Sequence, residues 1–239
     1  MGTSAQPAPD ATRSRILDVA ELLVQTRGFN GFSYADIAAK VGITKASLHY
    51  HFASKADLGH TLVARYTEGF GAALDRIHIN LQDVRAQLRA YVELYSGVLR
   101  EGRLCLCGMV AAEYATLPAA MQEALRVFFE LNERWLAELL EQGAREGKLA
   151  YRTSAADAAR MLVGALEGEM LVARAYGDPE RFIAAAELLI AQLEYSRGPV
   201  DRSAAAPGRR TRGGPPSQRT SAGTRGASGT ARRARVRSD

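Results

Sequence analysis

Only two cysteines occur in 239 residues, Cys105 and Cys107, with a single residue between them. They are too few and too close for a disulfide framework, so the chain is expected to rely on its core and to suit a reducing compartment. Long apolar runs are missing too, and nothing approaches the roughly 18 residues that a spanning helix needs. Met1 to Asp10 has neither the basic start nor the apolar stretch of a secretory leader. Gln6 stands where a myristoylation signal behind Gly2 needs Ser or Thr. A cytoplasmic protein with no membrane partner is the resulting expectation. Absent as well are G-x-S-x-G, H-E-x-x-H, a P-loop and a Rossmann glycine set, which removes the commonest signatures of hydrolytic, zinc-protease and nucleotide chemistry. The two thiols have no neighbouring His or Cys in sequence, so neither a metal nor another cofactor is expected.

What is present is a chain with 47% apolar residues, enough to bury a core, and a charge that is unevenly placed. Residues 198–239 hold 10 Arg and 2 Asp, leaving 21 basic and 24 acidic residues in the first 197; the net +5 divides into +8 and −3. The high pI therefore belongs to the end of the chain. Its Arg, Gly, Ser, Thr, Ala and Pro, with almost nothing large and apolar beyond Val200, predict a disordered tail over 198–239. Residues 1–9 are expected to be a flexible N-terminus.

Between these ends the apolar spacing is helical throughout, with no period-two alternation to suggest strands. Ile16, Leu17, Ala20, Leu23 and Val24 mark a first helix ending at Gly28. Ser33-Tyr-Ala-Asp36 is a capping arrangement before Ile37, Ala38 and Val41; Gly42 breaks that helix, Thr44 can cap the next, and Leu48 and Phe52 give it a buried stripe. Ser54 to Asp57 opens a longer helix to about Ile77, and further helices are expected over about 84–100, from the run 104–112, from Pro118 to Gly147, from Ser154 to Tyr176 and from about Asp178 to Tyr195. The fold class is all-α, with about nine helices.

Two short helices across the Gly42-Ile43-Thr44 turn fit a helix-turn-helix whose second member enters a major groove, an arrangement that plain bundles also contain. Lys45, Ser47, His49, Tyr50 and His51 fall on the face opposite Leu48 and Phe52. The string from 10 to 60 resembles the TetR (tetracycline repressor) family: Arg27-Gly28-Phe29, then Phe32-Ser33-Tyr34-Ala35-Asp36-Ile37-Ala38-Ala39-Lys40-Val41-Gly42-Ile43, then Lys45 to Phe52 and Ser54-Lys55. The resemblance implies a three-helix DNA-binding domain over 10–60, a ligand-binding and dimerisation domain over 61–197, a homodimer, a double-stranded operator and a small-molecule inducer of unknown identity. It places Ser33, Tyr34, Lys45, Ser47, Tyr50, His51 and Lys55 against DNA, with His49 where many relatives carry Tyr. Lys45 and Ser47, near the start of the recognition helix, suit base edges. Tyr50, His51 and Lys55 suit phosphates, Lys55 at a helix N-terminus that itself favours anions.

The second domain is expected to enclose an apolar cavity. Met121, Phe128, Phe129, Trp135 and Met170 are candidates to line it, with core packing the plainer alternative. Cys105 and Cys107 lie at a helix start, where the dipole favours thiolate, in a segment similar to that of TetR relatives that sense electrophiles or oxidants through cysteine. The competing reading is two small buried apolar residues. Gly164 and Gly168 share one face of the 154–176 helix and permit close approach; with the last helix they resemble the family's dimer interface. An enzyme would have to draw on carboxylates such as Glu113, Glu167 or Glu169, which ordinary charged helix faces also explain. The third reading is a non-specific nucleic-acid binder acting through the basic tail.

Overall fold

The computed structural model describes residues 9–194, so the expectations for the tail and for residues 1–8 lie outside the described residues. Nine α-helices and one 3-10 turn make up the described residues, and no strand occurs among them. They are α1 (Pro9–Arg27), α2 (Tyr34–Val41), α3 (Lys45–His51), α4 (Lys55–Asn80), α5 (Val84–Arg100), α6 (Leu106–Ala111), the 3-10 turn (Tyr114–Thr116), α7 (Ala119–Arg145), α8 (Ala155–Tyr176) and α9 (Pro179–Glu194).

Local chemistry sets these boundaries. Gly28 and Gly42 take φ of +82° and +76°, left-handed values that end α1 and α2 at little steric cost. Thr44 Oγ1 accepts the Ser47 amide at 3.0 Å, Ser54 Oγ the Asp57 amide at 3.1 Å, and Ser154 Oγ the Asp157 amide at 3.0 Å. At α2 the expected capping box of Ser33 and Asp36 is present. The Asp36 carboxylate accepts both the amide and the hydroxyl of Ser33, at 2.7 and 2.6 Å, and these bonds hold its pKa below the usual carboxylate value.

α1, α2 and α3 close on Ile16, Leu23, Ile37, Leu48 and Phe52, and the same apolar cluster continues through α4 into α5 to α9. α4 is the long connector, 26 residues or roughly 39 Å. Its first half buries Leu58, Leu62 and Val63 and its second half Leu74 and Ile77. Inside the larger bundle a small polar network is buried: the Tyr91 hydroxyl donates to Asn132 Oδ1 at 2.8 Å and lies 3.1 Å from the Tyr95 hydroxyl, while Asn132 Nδ2 donates to the Phe128 carbonyl at 2.8 Å. Each polar atom buried this way needs a partner, so the network fixes how α5 meets α7.

Candidate nucleic-acid interface and ligand cavity

α3 is only seven residues long, and Leu48 is its one buried residue. A helix this short is not stable by itself. It is held by the Thr44 cap, by Leu48 and Phe52 in the core, and by the Arg13 guanidinium 4.7 Å from the centre of the Phe52 ring. Arg15 donates to the Val41 carbonyl at 2.8 Å and so ties α1 to the end of α2. Lys45, His49 and Tyr50 are exposed and Ser47 and His51 half-buried, with Tyr50 at 81% exposure the most open large apolar-bodied side chain in this region. Tyr50 and His51 meet edge to face at 5.3 Å.

Four of the residues singled out in the sequence are engaged internally; one is Ser33, whose amide and hydroxyl both go to Asp36. Tyr34 is half-buried; its hydroxyl donates to the Phe52 carbonyl at 3.1 Å, and burial, helped by Asp57, pushes its pKa up to about 12. It therefore stays a neutral donor. His49 packs on Tyr34 at 4.8 Å and places Nδ1 3.2 Å from the Ala53 carbonyl, to which Nδ1–H can donate. Lys55 turns inward: its ammonium donates to the Phe32 carbonyl at 2.5 Å and sits 4.3 and 4.8 Å from the centres of the Phe32 and Phe29 rings. Partial burial lowers its pKa, with Glu113 and Asp36 opposing that shift.

The second site is a cavity of about 340 Å³ between α6, α7 and α8. Phe129 and Met170 line it, as does Cys105. Phe128 and Trp135, expected as sensing residues, do not. Phe128 is fully buried against Tyr66 and Phe70, and Trp135 stacks on Tyr91 at 5.6 Å, so both serve packing. Met121 likewise is fully buried and packs beside Gly59 of α4. Of the two readings of the cysteines, burial favours the small apolar one. Cys105 and Cys107 are 2% and 0% exposed, and burial, reinforced by Glu167, pushes both thiols well above their ordinary pKa; this outweighs any favour from the six-residue α6. Their neutral thiols behave as small apolar groups.

Glu167 is the functional group that sequence reasoning passed over as one charge among many. Its Oε1 is out of solvent without a hydrogen-bond partner, the Cys105 thiol is its hydrogen-bonding neighbour, and burial raises its pKa to about 7. A Cβ on Gly108 would fall 2.2 Å from its Oε2, so the carboxyl rests directly on the α6 backbone. The spacing from Gly108 to Glu167 is long, and no local motif signals the pairing.

The cavity wall is also bonded to the DNA-binding end. Leu104, which lines the cavity, donates its amide to the Gln25 carbonyl of α1 at 3.1 Å. Glu113, just past α6, accepts the Asn30 amide at 2.9 Å, and its Oε1 fills the space where a Cβ of Gly28 would lie, 2.5 Å away. Arg174 of α8 donates to the Thr26 carbonyl at 2.9 Å, and Arg65 of α4 pairs with Asp18 and Glu21 at 2.7 and 2.8 Å. Glu113 is thus a structural bridge rather than part of a reactive centre.

An exposed recognition helix joined in this way to an apolar cavity defines a helix-turn-helix regulator with a sensor domain. Residues 16–60 match the family model described as bacterial regulatory proteins, tetR family, and residues 81–189 that described as tetracyclin repressor-like, C-terminal domain. A solved TetR-family transcriptional regulator from Agrobacterium tumefaciens is 34% identical, with 79% of this chain and 100% of that chain covered and a TM-score of 0.76. The nucleoid occlusion factor SlmA of Photobacterium profundum is 29% identical over 66% of this chain and 81% of its own length. The transcriptional regulator AcuR of Cereibacter sphaeroides is 29% identical over 60% and 68%. The chain belongs to the TetR family of transcriptional regulators, a family of DNA-binding proteins that usually act as dimers and not of enzymes. Among the described residues no helix is long and apolar enough to cross a membrane, and no cluster of His, Cys, Asp and Glu is arranged to hold a metal ion.

Proposed function

We propose that this chain is a homodimeric, cytoplasmic repressor that holds a pseudo-palindromic operator until a small molecule occupies the cavity between α6, α7 and α8. The carrying observation is the outward face of α3, where Lys45, Ser47, Tyr50 and His51 surround a single buried anchor, Leu48. Lys45 and Ser47 read base edges; Tyr50 and His51 hold phosphates, and Ser33 and His49 contact the DNA beside them. Tyr34 and Lys55 line a shallow cleft with Ser33 and His49 at the edge of this surface. Residues 10–60 act as the DNA-binding domain and 61–197 as the sensor and dimerisation domain.

The dimer is supported by the open face of α8 and α9. Met161, Leu171 and Leu188 are exposed, and a Cβ built on Gly164 or Gly168 meets nothing within 4 Å. This apolar stripe fits a second copy of the chain. Occupation of the cavity would shift Leu104 and with it Gln25, and would act also through α4; a ligand does this only if it binds the DNA-incompetent arrangement better. The basic tail adds sequence-blind, salt-sensitive affinity.

Selection of bound sites from random duplexes, followed by footprinting, tests this reading. Two half-sites related by a dyad, about one helical turn apart or a multiple of it, are expected, and truncation after Arg197 should keep the footprint while weakening background binding. A footprint lost with the tail, or one covering a single asymmetric half-site, would overturn it.

A further inference from the structure

We propose that the cavity between α6, α7 and α8 is a site for a small lipophilic monocation, an ammonium carried on an aromatic or aliphatic body, whose charged head pairs with Glu167. The inference rests on the proposed ligand-released repressor and names the chemistry of its ligand.

Three observations support it together. The cavity is about 340 Å³, of a size for a small organic molecule, and its walls include Met109, Phe129, Val163, Met170 and Leu171. Into this apolar space the structure sets one carboxyl whose Oε1 is removed from water with no N–H or O–H donor to meet it, the Cys105 thiol being the one neighbour that bonds the carboxyl. A polar atom left in that condition is costly, and a bound donor would relieve it. The position is also closely fitted: Glu167 Oε2 occupies space that any side chain at 108 would need.

The surrounding charges select the sign of the ligand. The titratable groups that face Glu167 are Cys105 and Cys107 of the α6 segment, Tyr66 of α4, and Tyr91 and Tyr95 of α5, and none of these can carry a positive charge. At the cavity edge the one cation is Arg160, already 2.6 Å from Asp157 and 3.7 Å from Glu133. An anion would meet the Glu133 carboxylate in the cavity wall and end against Glu167. A neutral body fills the apolar space but leaves Glu167 either protonated or without a counter-charge. An ammonium satisfies the buried oxygen and gains from the low local dielectric.

Because burial holds the Glu167 pKa at about 7, the carboxylate population rises between pH 6 and pH 8, while an alkyl ammonium stays charged throughout. Affinity for the cation should therefore increase with pH across that window. Calorimetric titration of the full-length protein with 2-naphthylmethylammonium, 2-naphthylmethanol, 2-acetylnaphthalene and 2-naphthoate, four bodies of similar size, separates the possibilities. At pH 8 the ammonium should bind about tenfold or more tightly than the alcohol or ketone, and the carboxylate least. Glu167→Gln should bring ammonium and alcohol within about twofold and remove the pH dependence.

Equal binding of all four in the wild type, no binding of the ammonium at millimolar concentration, or tightest binding of the ketone at pH 6 through a protonated Glu167, would overturn the proposal. These measurements on the wild type do not depend on the variant folding. Operator binding by the ligand-free wild type is scored separately: its failure would count against the repressor reading and leave the cavity result standing.

Discussion

At the recognition surface a seven-residue helix turns its polar side chains outward around one buried leucine; at the cavity, α6, α7 and α8 turn apolar side chains inward around one buried carboxyl. The first surface owes its order to groups that lie close in sequence: Thr44 caps α3, Tyr34 donates to the Phe52 carbonyl and His49 meets the Ala53 carbonyl, all within twenty residues. The second depends on contacts between distant segments, Gly108 against Glu167 and Phe129 beside Met170. One is suited to a polyanion that arrives from solvent. The other, on the proposed reading, would discriminate among small molecules by the cost of leaving its carboxylate without a counter-charge.

The harshest way to break the first half of this contrast is to remove its anchor. Leu48→Ala deletes the only buried side chain of α3 and should destabilise the protein by about 2–5 kcal/mol, with operator binding lost at every salt concentration. Chemical denaturation and fluorescence anisotropy check it. A variant that melts earlier yet binds the operator as before would show that α3 does not need its core contact to be positioned.

A smaller effect sharpens the difference between two lysines that the sequence places against DNA, one at base edges and one at phosphates. Lys45 is exposed, whereas the Lys55 ammonium is bonded to the Phe32 carbonyl between two aromatic rings. Lys45→Ala should weaken operator binding by about 1–3 kcal/mol and relax the sequence preference. Lys55→Ala should leave that preference intact and change the slope of log affinity against log salt by less than about half a unit, and should lower the melting temperature because the Phe29 to Phe32 turn loses its tie to α4. Titrations at several salt concentrations with both variants decide it; a slope reduced by about one in Lys55→Ala would mark Lys55 as a phosphate contact.

The all-α fold and its boundaries were legible because each helix carries its own stop and start, such as Gly28, Gly42, Thr44, Ser54 and Ser154, and because apolar spacing shows which side faces inward. The outward face of α3 was legible for the same reason. Rotamers were not: nothing in Ser54-Lys55 reveals that the ammonium folds back onto Phe32. The cavity was the least legible feature. Phe128 and Phe129 are adjacent on α7, yet one fills the core and the other lines the cavity, a distinction made by helix rotation against α8. Glu167 has the sequence surroundings of an ordinary surface glutamate, and the close approach of α6 at Gly108 leaves it a half-buried residue with Oε1 out of solvent.

The mildest test concerns Cys105 and Cys107, which the contrast assigns to the inward-facing site. A thiol reacts as its thiolate, and here burial together with the nearby Glu167 opposes ionisation, so both groups stay protonated well above the ordinary thiol range. Rising pH makes matters more opposed near neutrality, because Glu167 itself ionises around pH 7 and places a negative charge beside the sulfurs. Iodoacetamide applied to the folded protein at pH 7 should therefore leave both cysteines unmodified over a period in which a free thiol is consumed, and mass spectrometry of the intact chain reads the result. At higher pH, Cys105 should react before Cys107, since Cys105 lines the cavity while Cys107 is fully enclosed. Glu167→Gln removes the neighbouring charge and should speed Cys105 modestly at pH 8. Rapid labelling of either cysteine at pH 7 would reverse the assignment, making the cavity a place for covalent sensing instead of one that recognises charge.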